Sequence, residues 1–209
     1  CDILKMKDAN PKRLYEYDLI GIGAPTHGLK EPPWVDSFIR DMRFVGGKHC
    51  FAFSTHATLP GNFMASIIPK LKKKGLIVIG YGDWYGAAHA QHHAYPWYTA
   101  GHPDEIDLEE AEAFGREIVA RSARISAGET NLIPEVPAMK DIFPVEELMK
   151  GLPPIRKVAK YEKEKCLYPA CRLCMDNCPM DGIDLTVNPV VFMKPCINCG
   201  GFCENICPT

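Results

Sequence analysis

Eight of the chain's ten cysteines crowd into the stretch from Cys166 to Cys207. They form two successive quartets, Cys166-x4-Cys171-x2-Cys174-x3-Cys178-Pro179 and Cys196-x2-Cys199-x3-Cys203-x3-Cys207-Pro208. A cubane iron–sulfur cluster needs one thiolate at each of four corners. Three closely spaced cysteines on a tight loop can wrap three corners and leave the fourth to a distant residue. Zinc and disulfides compete for the same residues. Structural zinc sites also use C-x2-C pairs, but they usually separate the two pairs by about a dozen residues or more and add no third cysteine three or four positions on. Disulfides need an oxidising compartment, and the first 165 residues, whose only cysteines are Cys1 and Cys50, carry no sign of secretion. Cys1 reads as a strand-end residue and Cys50 as a buried core thiol.

With its two C-x-x-x-C-P endings, the segment 161–209 resembles the two-[4Fe–4S] ferredoxins of bacteria, in which the cysteine before proline ligates the other cluster. Carried over residue by residue, the resemblance implies one cluster held by Cys166, Cys171, Cys174 and Cys207 and a second held by Cys196, Cys199, Cys203 and Cys178. The family spacing is C-x2-C-x2-C-x3-C-P. Here the first quartet opens with x4 and the second has x3 between its middle pair. An added residue changes the path of a ligand loop and the amides that donate to sulfur, hence the potential, more readily than it removes a ligand.

A second set of residues with chemical potential lies in three loops of the first half. They are Ala24-Pro25-Thr26-His27-Gly28, then Ser54-Thr55-His56-Ala57-Thr58-Leu59-Pro60-Gly61, and Tyr81-Gly82-Asp83-Trp84-Tyr85-Gly86. Small residues let backbone amides approach a ligand, and hydroxyls, imidazoles and aromatic rings can bond to or stack on a planar cofactor. A further stretch, His89-Ala90-Gln91-His92-His93 with Tyr95, Trp97, Tyr98 and His102, has no carboxylate or cysteine at recognisable ligand spacing. It suits the capping of a ring edge or a partner surface better than a metal. No residue reads as a proton-transfer catalyst with an orienting partner.

The elements that must position these loops read as alternating strands and helices. Tyr17–Ala24, Cys50–Ser54 and Leu76–Gly80 are short apolar runs of the kind buried on both faces of a parallel sheet. Pro32-Pro33 opens a helix along which Trp34, Val35, Phe38, Ile39 and Met42 recur at helical spacing. A second helix starts near Asn62, buries Phe63, Ile67, Ile68 and Leu71, and ends at Lys72-Lys73-Lys74-Gly75, a solvated cationic terminus with a glycine cap. Pro103-Asp104-Glu105 opens a third, acidic through Glu112 and basic at Arg116, Arg121 and Arg124. Repeated units of this kind predict an α/β fold, a doubly wound parallel sheet whose ligands bind beyond the carboxyl ends of the strands.

The order of elements and the loop Ala24-Pro25-Thr26-His27-Gly28 resemble a flavodoxin domain over about residues 1 to 128. The resemblance implies FMN, with Pro25, Thr26, His27 and Gly28 against the ring and Ser54, Thr55, His56, Gly82, Trp84 and Tyr85 as further contacts. Cys1–Met6 alternates like the second strand of that fold. The first strand, phosphate loop and first helix are therefore expected to be missing, about 30 residues or more at the length of one strand-helix unit. FMN is accordingly expected in the intact protein and is doubtful without the phosphate loop.

Three segments result: a flavodoxin-like domain over 1–128, a Pro-rich linker over 129–160 with a short helix near Val145 to Lys150, and the ferredoxin-like α+β segment 161–209. Hydrophobic residues are 46% and charged residues 24% of the chain, a globular balance, and no apolar run has the length of a membrane span. A formal net charge of −2 gives no footprint for nucleic acid. Together the halves resemble flavodoxin/ferredoxin fusions of anaerobes, which implies a cytoplasmic electron carrier, or a subunit wiring a larger oxidoreductase complex, with redox proteins as partners. Two alternatives stand beside it: a flavin-dependent reductase of a small acceptor, and a scaffold or docking subunit with structural clusters.

Overall fold

The computed structural model describes residues 1–57, 59–87, 99–136, 161–178, 181–187, 191–192, 203 and 206–209. They fall into two compact units. The described residues between 10 and 136 form one; residues 1–9 group with the described residues from 161 onward in the other.

The first unit is a mixed α/β fold on a three-stranded parallel sheet. Its elements run β1 (Leu19–Pro25), α1 (Pro33–Asp41), β2 (His49–His56), α2 (Phe63–Lys73), β3 (Ile77–Tyr85) and α3 (Glu105–Ser126), with strand order β1-β2-β3. Side chains alternate across each strand. On β2 the positions Cys50, Ala52, Ser54 and His56 are buried on one face. The apolar stripes of α1 (Val35, Ile39) and α2 (Phe63, Ile67, Ile68, Leu71) are also buried, and α2 packs on β2 and β3. On the opposite face Phe51 meets Phe114 of α3, and Ile79, Ile118 and Ile125 form a second buried cluster. The helices therefore cover both faces.

Phe51 and Phe53 lie across Gly21 and Gly23 of β1, where a Cβ would collide with either ring. Those two glycines exist to seat the neighbouring strand's aromatics. The lysine-rich end of α2 is the expected helix terminus: Gly75 takes a left-handed conformation (φ 81°), and the Lys74 ammonium donates to the carbonyls of Arg40 and Met42 at the end of α1. At the start of α3, Asp104 and Asp107 form a reciprocal capping box.

Three expectations need correction. Cys1–Met6 is no strand: residues 1–5 have no regular structure and a turn over residues 5–9 follows, closed by the amides of Asp8 and Ala9 on the Lys5 carbonyl (2.9 and 3.1 Å). The alternation there had no partner strand to satisfy its backbone. Thr55 and His56, expected in a loop that begins at the strand-end Ser54, are the last rungs of β2. Likewise Tyr81 to Tyr85, also expected in a loop, extend β3, because the parallel ladder continues past the apolar run through pairs such as Thr55 with Trp84. The helix expected near Val145 to Lys150 lies outside the described residues.

Among the described residues of the second unit are a one-turn helix, Leu173–Asp176, an antiparallel pair of two-residue strands, β4 (Ile183–Asp184) and β5 (Val191–Phe192), and a helical position at Cys203.

Candidate functional site

The first cysteine quartet is wound on consecutive tight turns. The amide of Cys166 donates to the Lys163 carbonyl (3.2 Å), that of Cys171 to Leu167 (3.1 Å), and that of Cys178 to Met175 (3.2 Å). The long x4 spacing is thus taken up by a turn between Leu167 and Cys171. Two amides turn toward sulfur: Tyr168 donates to Cys166 Sγ (3.4 Å) and Gly182 to Cys178 Sγ (3.1 Å).

Cys166, Cys171, Cys174 and Cys207 line a single cavity of about 30 Å³, walled by Leu167, Leu173 and Leu185. Cys207 arrives there from the far end of the second quartet. Cys178 is not in that wall; Cys203 is half-buried, and Cys196 and Cys199 lie outside the described residues. A tetrahedral zinc with about 2.3 Å bonds would draw four sulfurs to about 3.8 Å of one another. Among the described residues no three cysteine sulfurs gather within 4.8 Å. The donors are all sulfur, spaced wider than one ion requires, around an apolar wall; this fits a cluster, in which each thiolate binds its own iron.

The electrostatics of the bare thiols follow from this crowding. Burial pushes the Cys174 thiol up, with a smaller push from Cys166 and Cys207, against two backbone hydrogen bonds. The Thr209 hydroxyl and amide hold Cys207 below its ordinary value. Cys50 is a different kind of thiol: wholly buried in the sheet, it is pushed up to about 12 by desolvation alone and is chemically inert.

In the α/β unit, the residues expected around a planar cofactor meet at the carboxyl end of the sheet. Pro25, Thr55 and Trp84 stand side by side in register, as do His56 and Tyr85. The loop after β1 is clasped to the loop after β2. The Thr26 amide donates to Thr55 (2.8 Å), the Thr26 hydroxyl to Pro60 (3.2 Å) and the Asn62 amide to Leu29 (2.6 Å). Gly61 takes φ +59° against the Leu29 backbone, where any side chain would collide. His27 pairs with Lys30 across a turn in which Gly28 has φ 57°.

Not all of these side chains face outward. Ser54 is fully buried, with its hydroxyl unpartnered among the described residues. The Trp84 ring packs over Gly82 and against Phe53 and Phe114. His56 is also buried, its Nε2 2.8 Å from Asp83 Oδ2, and its ring meets Tyr85, which in turn meets His102. Thr58 lies outside the described residues, as do His89, His92, His93, Tyr95, Trp97 and Tyr98.

Sequence reasoning missed the pairings of three carboxylates. Asp83 partners His56 from the adjacent strand, and only strand register could have found it. Asp107 accepts from His102 Nδ1 (2.5 Å) and from the Asp104 amide (2.8 Å); the signal was the spacing Asp104-x-x-Asp107 at a helix start. His102, Asp104 and Asp107 bring their ligand atoms within 4.8 Å, but both carboxylates are already engaged in capping α3. Asp181 pairs with Lys7, 174 residues away.

Compared with known proteins, the chain matches no family model and no solved structure. It is 39% identical over 46 residues to an uncharacterized ferredoxin of Methanocaldococcus jannaschii, a stretch that is 21% of this chain and 73% of that protein. No helix among the described residues is long and apolar enough to cross a membrane. Over that stretch the chain belongs with the ferredoxins, and it carries a ferredoxin-like domain beside a separate α/β unit.

Proposed function

We propose that the protein transfers single electrons through two [4Fe–4S] clusters, to or from a redox protein or the subunits of a larger oxidoreductase complex. The observation that carries this reading is the shared cavity of Cys166, Cys171, Cys174 and Cys207, which draws its fourth sulfur from the second quartet. Cys178, left out of that wall, is then available to a second cluster with Cys196, Cys199 and Cys203.

A cluster supplies one-electron exchange and a flavin one- or two-electron exchange, so the pair lets partners of differing stoichiometry communicate. The chain's own residues set the conditions. The thiolates would hold iron, Leu167, Leu173 and Leu185 line one site with apolar surface, and the amides of Tyr168 and Gly182 donate to two ligand sulfurs. The α/β unit is read as flavodoxin-like, offering FMN the exposed ring of Tyr85 and the clasped loop Pro25–Gly28. Buried Ser54 and inward-packed Trp84 favour a second reading for that unit alone, a scaffold without flavin.

Voltammetry of the anaerobically prepared full chain tests the proposal. Reversible one-electron waves at physiological potentials are expected. Clusters that cannot be reduced reversibly would make them structural staples, and steady turnover of a small acceptor would make the protein a reductase.

A further inference from the structure

The turn that follows Cys178 is held from outside by the N-terminal segment. Within the turn, the Asp181 amide donates to the Cys178 carbonyl (3.4 Å) and the buried Gly182 amide donates to Cys178 Sγ (3.1 Å). Asp181 itself sits at φ 50°, a left-handed conformation uncommon for a residue with a side chain. Its carboxylate receives the Lys7 ammonium at 2.5 Å. Lys7 is the more enclosed partner, with 22% of its side chain exposed against 69% for Asp181. It is also fixed in position, lying within the N-terminal turn closed on the Lys5 carbonyl.

The other charges of the recess that the pair lines are engaged elsewhere. Lys7 and Asp181 share the wall of a recess of about 520 Å³ with Arg172, Asp176 and Asp184. Arg172 pairs with Asp176 at 3.3 Å, and Asp184 accepts from the amide and hydroxyl of Thr186. The Lys7 ammonium holds its proton more tightly than usual, first because of the Asp181 hydrogen bond, against the desolvation that opposes it, and in smaller part because of the charges of Asp181 and Asp8.

We infer that Lys7 is a positioning and charge-tuning residue for one iron–sulfur cluster, fixing through Asp181 the turn whose amide donates to Cys178 and placing a cation on that turn. This rests on the reading of Cys178 as a cluster ligand. Net charge and hydrogen bonds at the sulfurs are among the terms that set a cluster's potential. A cation near the ligand favours the reduced, more negative state, so its loss makes the cluster harder to reduce. Loss of the Asp181 charge unmasks the cation and acts the other way.

The test uses the holo full chain, prepared anaerobically, as Lys7→Met, Lys7→Arg and Asp181→Asn variants. Iron and sulfide are counted and each cluster's midpoint potential is read by EPR-monitored titration. Lys7→Met is expected to shift one cluster to more negative potential and leave the other in place. Lys7→Arg should restore most of that shift, and Asp181→Asn should move the same cluster to more positive potential. Asparagine tolerates a left-handed φ, so the last variant keeps the turn if Lys7→Met fails to fold. Two loaded clusters with unmoved potentials in Lys7→Met and Asp181→Asn would overturn the role of Lys7 alone, as would an equal shift of both clusters. Absence of clusters from the unaltered protein would overturn the proposed function and this inference together.

Discussion

The two units hold themselves together by different means. The α/β unit carries a continuous apolar interior: Val35, Phe63, Ile67, Ile68, Leu71 and Ile79 are each wholly buried, and its helix α3 runs for 22 residues. In the cysteine unit, Ile183 and Leu185, each 8% exposed, are the buried apolar side chains among the described residues, and the helix Leu173–Asp176 is four residues long. Burial at about 25 cal/mol per Å² can stabilise the first unit against the entropy of ordering its chain. Among its described residues the second shows far less buried apolar surface. On the proposed reading its clusters supply the difference, since the binding free energy of a metal group becomes folding free energy. The cysteines would then stabilise their unit as well as carry its chemistry.

Removing the metal should break this comparison open most widely. Acid or chelator treatment under reducing conditions is expected to abolish amide-exchange protection across residues 161–209, while the sheet amides of β2 and β3 stay protected. Protection that persists in both units of the metal-free protein would mean that the cysteine unit has an apolar core of its own.

A change in the α/β core should act in the converse way. Phe63→Ala removes a fully buried ring from the face between α2 and the sheet, at an expected cost of about 3–5 kcal/mol to that unit in denaturant unfolding. Iron content is expected to stay unchanged. Parallel loss of iron would show that the units depend on one another.

The smallest expected effect is one of pH, confined to the α/β unit. The hydrogen bond from His102 to Asp107 raises the histidine above its ordinary 6.5, so its stabilisation is complete below that value and is lost as pH rises through the raised one. The same bond, then the Asp104 amide, holds Asp107 below its ordinary 3.8; that share is present above 3.8 and is lost as pH falls through the lowered value. The gap in stability between the unaltered protein and His102→Asn should therefore be widest between these limits and narrow on the alkaline side. An unchanged gap from pH 5.5 to 9.5 would remove the pair from the account.

The contrast between the units also explains what could be read in the sequence. Buried parallel strands appear as apolar runs, and amphipathic helices repeat at 3.6 residues, so β1 to β3 and α1 to α3 were legible along with most of their core. The ends of β2 and β3 were not, because Thr55-His56 and Tyr81–Tyr85 carry loop-like residue types while the parallel ladder continues through them. Cys1–Met6 misled for the opposite reason, with alternation and no partner strand. The cysteine motifs were plain, since ligand type and spacing are local. The partners of functional side chains were not. Asp83 reaches His56 from the neighbouring strand, and Lys7 reaches Asp181 from the other end of the chain; neither pairing leaves a local pattern.

The most direct test of the central claim is the metal content of the anaerobically prepared full chain: iron, acid-labile sulfide, zinc and released flavin, with EPR after dithionite reduction. The account predicts about eight irons and about eight sulfides per chain with interacting S = ½ signals, as two four-iron clusters require. Flavin in the same preparation would assign FMN to the α/β unit, and its absence would leave that unit a scaffold. Zinc in place of iron, without sulfide, would contradict the claim.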